Sequence, residues 1–362
     1  MNQKMDLKIY GWNETLQEEF DRISESGLTP ARVSIRNKNN YLLHTTEGEV
    51  TGELSGKMIY EIEDGIIEDG FPCVGDWVAV RIFPDEDKAI IQKLLTRKSK
   101  FSRKEAGVKT VEQVIAANID TVFLMMSLNK DFNLRRLERY IVLASESNVN
   151  AVIVLSKADL CEDTDQMRDD VKAVSKETPV HIVSSLTGDG LDELKQYFEG
   201  DKTISVMGSS GVGKSTLINA LLGEEKMKVN NITEYKDKGT HTTTHRELVL
   251  LPSGGMIIDT PGMREIQLWE GERGVEQAFD EIEGLIHKCK FSDCTHTNEP
   301  ECAVQEALES GELDEDRYKS YLKLKREAMY FERKNDKRAM ITEKKKWKAI
   351  TKSVRKHNKY KN

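Results

Sequence analysis

The sequence predicts a multidomain α/β protein: an N-terminal OB-type β-barrel, an α/β domain built around a phosphate-binding loop, and an α-helical, metal-binding C-terminal domain. Three observations predict it. Short alternating strands run to about residue 99, continuous apolar runs alternate with helical stretches between 117 and 272, and cysteines gather among helices after 273. At roughly 150 residues per domain, a chain of 362 residues has room for this arrangement. The divisions fall at 1–110, 111–272 and 273–362.

In the first region Ala31–Arg36, Tyr41–His44, Gly48–Leu54, Gly75–Phe83 and Lys88–Leu95 alternate apolar and polar residues between Asn, Gly, Asp and Pro turns, as in a small antiparallel barrel. Five strands fit an OB-type barrel, and an SH3-like barrel nearly as well. In the second region Thr121–Met126, Ala151–Leu155, His181–Val183, Ile204–Met207 and Met256–Ile258 are unbroken apolar runs, the mark of parallel strands covered on both faces. Leu134–Ser147 and Leu191–Phe198 read as helices between them.

With 38% hydrophobic and 32% charged residues, the chain is neither disordered by composition nor membrane-embedded. No apolar run reaches the roughly 18 residues of a spanning helix, and Met1–Asp6 holds no apolar signal core. A cytoplasmic location without a membrane partner is expected. Five cysteines are too few and too uneven for a disulfide framework. The net charge of -8 argues against nucleic acid as a partner, but the charge is segregated. Residues 331–362 carry 13 Lys/Arg against 3 Asp/Glu, +10 net, which leaves -18 on the rest.

The most informative motif is Gly208-Ser209-Ser210-Gly211-Val212-Gly213-Lys214-Ser215-Thr216, placed between a predicted strand and a predicted helix. Its glycines let successive N–H groups and the helix N-terminus face a polyphosphate. Lys214 is expected to neutralise the β- and γ-phosphates, and Ser215 to ligate Mg²⁺. The loop does not choose between ATP and GTP. Asp159, in Ser156-Lys157-Ala158-Asp159 after a buried strand, can accept paired hydrogen bonds from guanine N1–H and the exocyclic amine, with the Lys157 stem over the ring. Ser184 and Ser185 follow the next strand. Beyond the phosphate loop, a threonine of the Gly239–Thr244 stretch, Thr243, and Asp259 of Asp259-Thr260-Pro261-Gly262 are expected at the Mg²⁺, with the Gly262 N–H sensing the γ-phosphate.

Base-reading segments therefore precede the phosphate loop, the reverse of the Ras-type order. On these residues the sequence resembles the circularly permuted GTPases of the TRAFAC class, most closely the ribosome small-subunit-dependent GTPase A family. The resemblance covers nearly the whole chain, including Gly75-Asp76-Trp77-Val78, Ala116-Ala117-Asn118-Ile119-Asp120, Gly239-Thr240-His241-Thr242-Thr243 and the cysteine cluster. It implies a monomeric hydrolase that converts GTP to GDP and phosphate and binds the small ribosomal subunit and its rRNA late in maturation. Turnover would be slow alone and stimulated by the subunit, and hydrolysis would promote release. Two positions depart from pattern. Ser156 stands where the family has Asn, and Met263 stands where Ras-like enzymes have a water-orienting Gln. His241 is the in-chain candidate to hold water, by resemblance and because imidazole can do so. A non-catalytic RNA-binding scaffold and an ATP-dependent phosphate-loop enzyme are the other readings of these residues.

Cys289-x4-Cys294-x-His296-x5-Cys302 offers three thiolates and an imidazole, a set suited to one structural Zn²⁺. Cys73 and Cys161 read as ordinary buried thiols. Aromatic residues interleave with lysines in Lys344–Lys348 and Lys356–Lys361, which suits phosphate contact plus stacking on RNA. Arg97–Lys104 forms a second basic patch.

Overall fold

The computed structural model describes residues 5–23, 26–38, 40–67, 70–104, 112–224, 246–259, 272–297 and 299–330. Helix α1 (Glu14–Ile23) precedes strands β1 (Thr29–Arg36), β2 (Tyr41–Thr45) and β3 (Gly48–Leu54). Helix α2 (Gly56–Glu63), capped by the Ser55 hydroxyl, then leads to β4 (Trp77–Phe83) and β5 (Lys88–Leu94). The strand order β1-β2-β3-β5-β4, with β4 pairing back to β1, closes a five-stranded barrel. Its β3–β5 pairing is parallel, so the barrel is not wholly antiparallel as alternation suggested. The β4–β5 hairpin returns β5 beside β3 in the same direction, which is the OB arrangement rather than an SH3-like one. Ala31, Val33, Leu43, Met58, Val80 and Ile91 fill the interior. Each of these side chains larger than alanine contributes about 1.5–3 kcal/mol by leaving water. β4 starts at Trp77 rather than at 75 because Gly75 turns the chain at φ +90°, where a Cβ would lie 2.2 Å from the Ala117 carbonyl oxygen.

A hairpin of β6 (Lys100–Lys104) and β7 (Glu112–Ala117) leads into the α/β region. There β8 (Thr121–Ser127), α3 (Leu134–Glu146), β9 (Asn150–Ser156), α4 (Thr164–Ser175), β10 (Val180–Ile182), α5 (Leu191–Lys195), β11 (Thr203–Gly208), α6 (Lys214–Leu222), β12 (Glu247–Leu250) and β13 (Met256–Asp259) follow in turn. Strands β10-β9-β8-β11-β13 lie in that order, all parallel. β12 adds an antiparallel strand at the edge, and β1 of the barrel pairs with it at Ile35 opposite Glu247. Barrel and α/β sheet are thus one continuous sheet. The core between sheet and helices holds Phe123, Val154, Val206, Val212, Leu217 and Ile257.

The chain divides into two compact units, Met1–Gln267 and Leu268–Asn362. In the second, α7 (Glu272–Ala278), α8 (Asp280–Ile286), α9 (Ala303–Ser310) and a helix over 315–330 bury Phe279, Ile282, Val304 and Tyr321. The Arg317 guanidinium lies 4.6 Å from the Phe279 ring centroid and donates to Glu281 Oε1 at 2.6 Å. No helix among the described residues is long and apolar enough to cross a membrane.

Candidate functional site

The phosphate loop joins the C-terminal end of β11 to α6. Gly208 has to be glycine, since a Cβ there would lie 2.8 Å from the Met125 carbonyl oxygen and 2.9 Å from Val212 Cγ1. Gly211 and Gly213 have φ of +75° and +106° and reverse the backbone on either side of Val212. Val212 itself is buried in the core and anchors the loop from beneath, while Ser210 and Gly211 stay exposed at its lip. Lys214 Nζ donates to the carbonyls of Gly208 at 2.9 Å and Ser209 at 2.7 Å, so the ammonium is held over the loop. Ser215 and Thr216 open α6, half-buried. Asp259, at the end of β13, is also half-buried. Burial pushes its carboxyl up, and the Lys214 charge opposes this. The loop presents one cation, a hydroxyl and a carboxylate around the N-terminus of a helix, the elements that grip a metal-bound polyphosphate.

The predicted base-reading segments converge on the same loop. Ser156 is buried, and its hydroxyl donates to the Val212 carbonyl at 2.7 Å. Lys157, in the left-handed region at φ +61°, extends its Nζ to the Gly211 carbonyl at 2.6 Å. Asp159 is exposed and accepts from the buried Ser184 hydroxyl at 2.6 Å, which orients the carboxylate. Ser185 is half-buried next to the exposed Leu186. His241, Thr243 and Gly262 lie outside the described residues, as do Met263 and the basic tail.

Two residues that sequence reasoning passed over belong to this neighbourhood. Asp131, in the loop after β8, accepts from the Ser209 hydroxyl at 2.5 Å and from Arg136 Nη1 at 3.0 Å. Arg136 sits at the start of α3, which Asn133 caps. A contact 78 positions apart in sequence has no local signature. Within the basic run after the barrel, Arg97 is spent on a buried bidentate pair with Asp76, at 2.8 and 2.6 Å, and Phe101 is fully buried, whereas Lys98 is exposed. Cys73 is buried as expected, whereas Cys161 is only half-buried.

In the second unit, Cys289 and Cys294 precede α9, His296 takes a left-handed φ of +58°, and Cys302 stands at the α9 N-terminus. The four donor atoms lie within 4.8 Å of one another. His296 Nδ1 is 3.5 Å from both Cys289 Sγ and Cys302 Sγ, which are 3.9 Å apart. Burial and then hydrogen bonds with Cys302 and Cys289 push the Cys294 thiol up to about 11. Burial raises Cys289, but hydrogen bonds from the Val304 and Ala303 N–H groups together with those of Cys302 and Cys294 bring that thiol below its ordinary value. Glu299 braces the ligand loop, accepting from the N–H groups of Thr295 and Thr297 at 2.9 Å each.

A phosphate loop reached from two strands that precede it in the chain, on a parallel sheet with one antiparallel edge, defines a GTPase of permuted order. Residues 94–269 match the RsgA GTPase family, and a small ribosomal subunit biogenesis GTPase RsgA of Opitutus terrae is 40% identical over 96% of each chain. The chain belongs to the RsgA GTPase family. A namesake from Methanosarcina acetivorans is 39% identical, over 97% of this chain and 93% of that one. Among solved structures, YjeQ from Thermotoga maritima has a TM-score of 0.59 at 29% identity, covering 83% of this chain and 99% of that one. YloQ, described as a circularly permuted GTPase, superposes with a TM-score of 0.56 over 85% of this chain and 97% of its own, and at 24% identity it speaks for the fold.

Proposed function

We propose that this protein binds the small ribosomal subunit late in its maturation, hydrolyses GTP slowly alone and faster on the subunit, and leaves once GDP is formed. The observation that carries the reading is the convergence of the Asp159 segment and the phosphate loop through the Ser156–Val212 and Lys157–Gly211 bonds. It is joined to relatives named for small-subunit biogenesis at 40% identity over nearly the full length. Asp159 reads guanine, Ser184 and Ser185 line the base, and Gly208 to Thr216 hold the phosphates. Lys214 neutralises charge that develops between the β- and γ-phosphates. Ser215, Thr243 and Asp259 would hold Mg²⁺, which would supply further charge neutralisation at the phosphates. His241 holds the attacking water, a role that Met263 cannot fill.

The cysteine cluster takes one structural Zn²⁺. Zn–S and Zn–N bonds of about 2.3 and 2.0 Å in a tetrahedron put sulfurs about 3.8 Å apart and nitrogen about 3.5 Å from sulfur. The 3.9 and 3.5 Å separations among Cys289, Cys302 and His296 fit that geometry, and Cys294 lies within 4.8 Å of all three. Barrel, zinc region and tail contact rRNA in a cytoplasmic, monomeric protein of three domains, divided near 110 and 272.

Turnover of GTP measured with and without isolated small subunits tests the reading. Stimulation of about a hundredfold, the worth of one well-placed transition-state donor, is expected. No stimulation, or ATP turnover that GTP fails to suppress, overturns it.

A further inference from the structure

The motifs Gly75-Asp76-Trp77 and Asn118-Ile119-Asp120 take no part in nucleotide chemistry, yet both surround one residue. Arg32, on β1 of the barrel, is 2% exposed. Its guanidinium donates to the carbonyls of Gly75 at 3.1 Å, Asn118 at 3.3 Å and Tyr10, and to the Thr203 hydroxyl at 3.0 Å, and it lies 5.1 Å from the Trp77 ring centroid. No carboxylate is among these partners. Asp76 is committed to Arg97, and Asp120 to Lys98 Nζ at 2.6 Å and the Thr203 N–H at 2.8 Å. Burial lowers the Arg32 group to about 10, so it stays charged at neutral pH. Asp120 and Asp76 lie near enough to favour its charge, but every hydrogen bond it makes goes to a neutral oxygen.

Its geometry explains why a fork of donors occupies this place. The acceptors belong to four segments: the N-terminal stretch, the β4 turn, the approach to β8, and the first residue of β11. β11 is buried from Thr203 to Gly208 and ends in the phosphate loop. A cleft of about 550 Å³ opens beside this junction, lined by Arg32, Trp12, Trp77, Lys98, Asn118 and Thr203 among others.

We propose that Arg32 is a positioning residue for GTP hydrolysis, its bond to Thr203 tying the barrel to the foot of the phosphate-loop strand so that docking of the barrel is felt at the phosphates. The proposal rests on the subunit-stimulated reading above. The full-length Thr203→Val and Thr203→Ser variants test it, since valine removes only the hydroxyl and serine keeps it. Thr203→Val is expected to lower subunit-stimulated kcat about tenfold, while GTP KM, unstimulated turnover and subunit affinity stay unchanged. It is also expected to speed amide hydrogen exchange through residues 203–213 in the chain alone. Thr203→Ser is expected to behave as the parent. Undiminished stimulation in Thr203→Val, an equal loss in Thr203→Ser, or a loss confined to subunit affinity overturns the proposal. If the parent chain is not stimulated at all, the functional reading fails instead, and exchange decides alone: unchanged protection in Thr203→Val overturns the coupling.

Discussion

Ser156 shows how one hydroxyl can replace a longer amide. Its bond to the Val212 carbonyl occurs in a buried setting, so removing the hydroxyl strands an acceptor that water cannot reach. Ser156→Ala is therefore expected to weaken GTP binding about tenfold with the secondary structure intact, measured with a fluorescent guanine nucleotide. Equal affinity would assign Ser156 to packing alone. Legibility at this scale followed locality. The phosphate loop was fully readable, because its function depends on residue types at fixed spacing along one turn. Asp131 was not readable, because its link to Ser209 exists only once β8 and β11 are neighbours. Arg97 misled for the same reason: in sequence it is one of a basic run, and only the fold sets it against Asp76.

Among the elements, the short helix α9 leans on the cysteine cluster. Its eight residues are too few for independent stability, and its N-terminus points amides at the cluster sulfur of Cys289. Removing the metal with a strong chelator, or substituting Cys302→Ser, is expected to melt α9 and the ligand loop first. The check is loss of helical circular dichroism and of exchange protection in 289–310, with the phosphate loop still binding GTP. Retained protection after complete metal removal would reject the dependence. The parallel strands were legible from their unbroken apolar runs. α1 was not, since it buries a single side chain, Phe20, whose ring lies 6.0 Å from that of Trp12 just before the helix, rather than a wide apolar stripe. β12, four residues long, is too short to show a period. The β3–β5 parallel pairing joins strands separated by α2 and β4, which no local pattern records.

For the whole molecule, charge is the governing quantity. A body of -18 repels RNA broadly, and a tail of +10 attracts it. Deleting 331–362 is expected to weaken small-subunit binding and flatten its dependence on salt, measured as the slope of log affinity against log salt. An unchanged slope would remove the tail from the interface. The sequence average concealed this division, and the linear order of residues exposed it.

The seam between β1 and β12 has one more consequence, for solubility rather than for signalling. An antiparallel strand at the border of a sheet offers a row of unsatisfied backbone donors and acceptors to any other chain. Here that border is taken by β1, with Ile35 opposite Glu247 and the Ser34 hydroxyl on the Leu248 carbonyl. The barrel thus covers part of this margin of the GTPase sheet, and a cut between them would expose it.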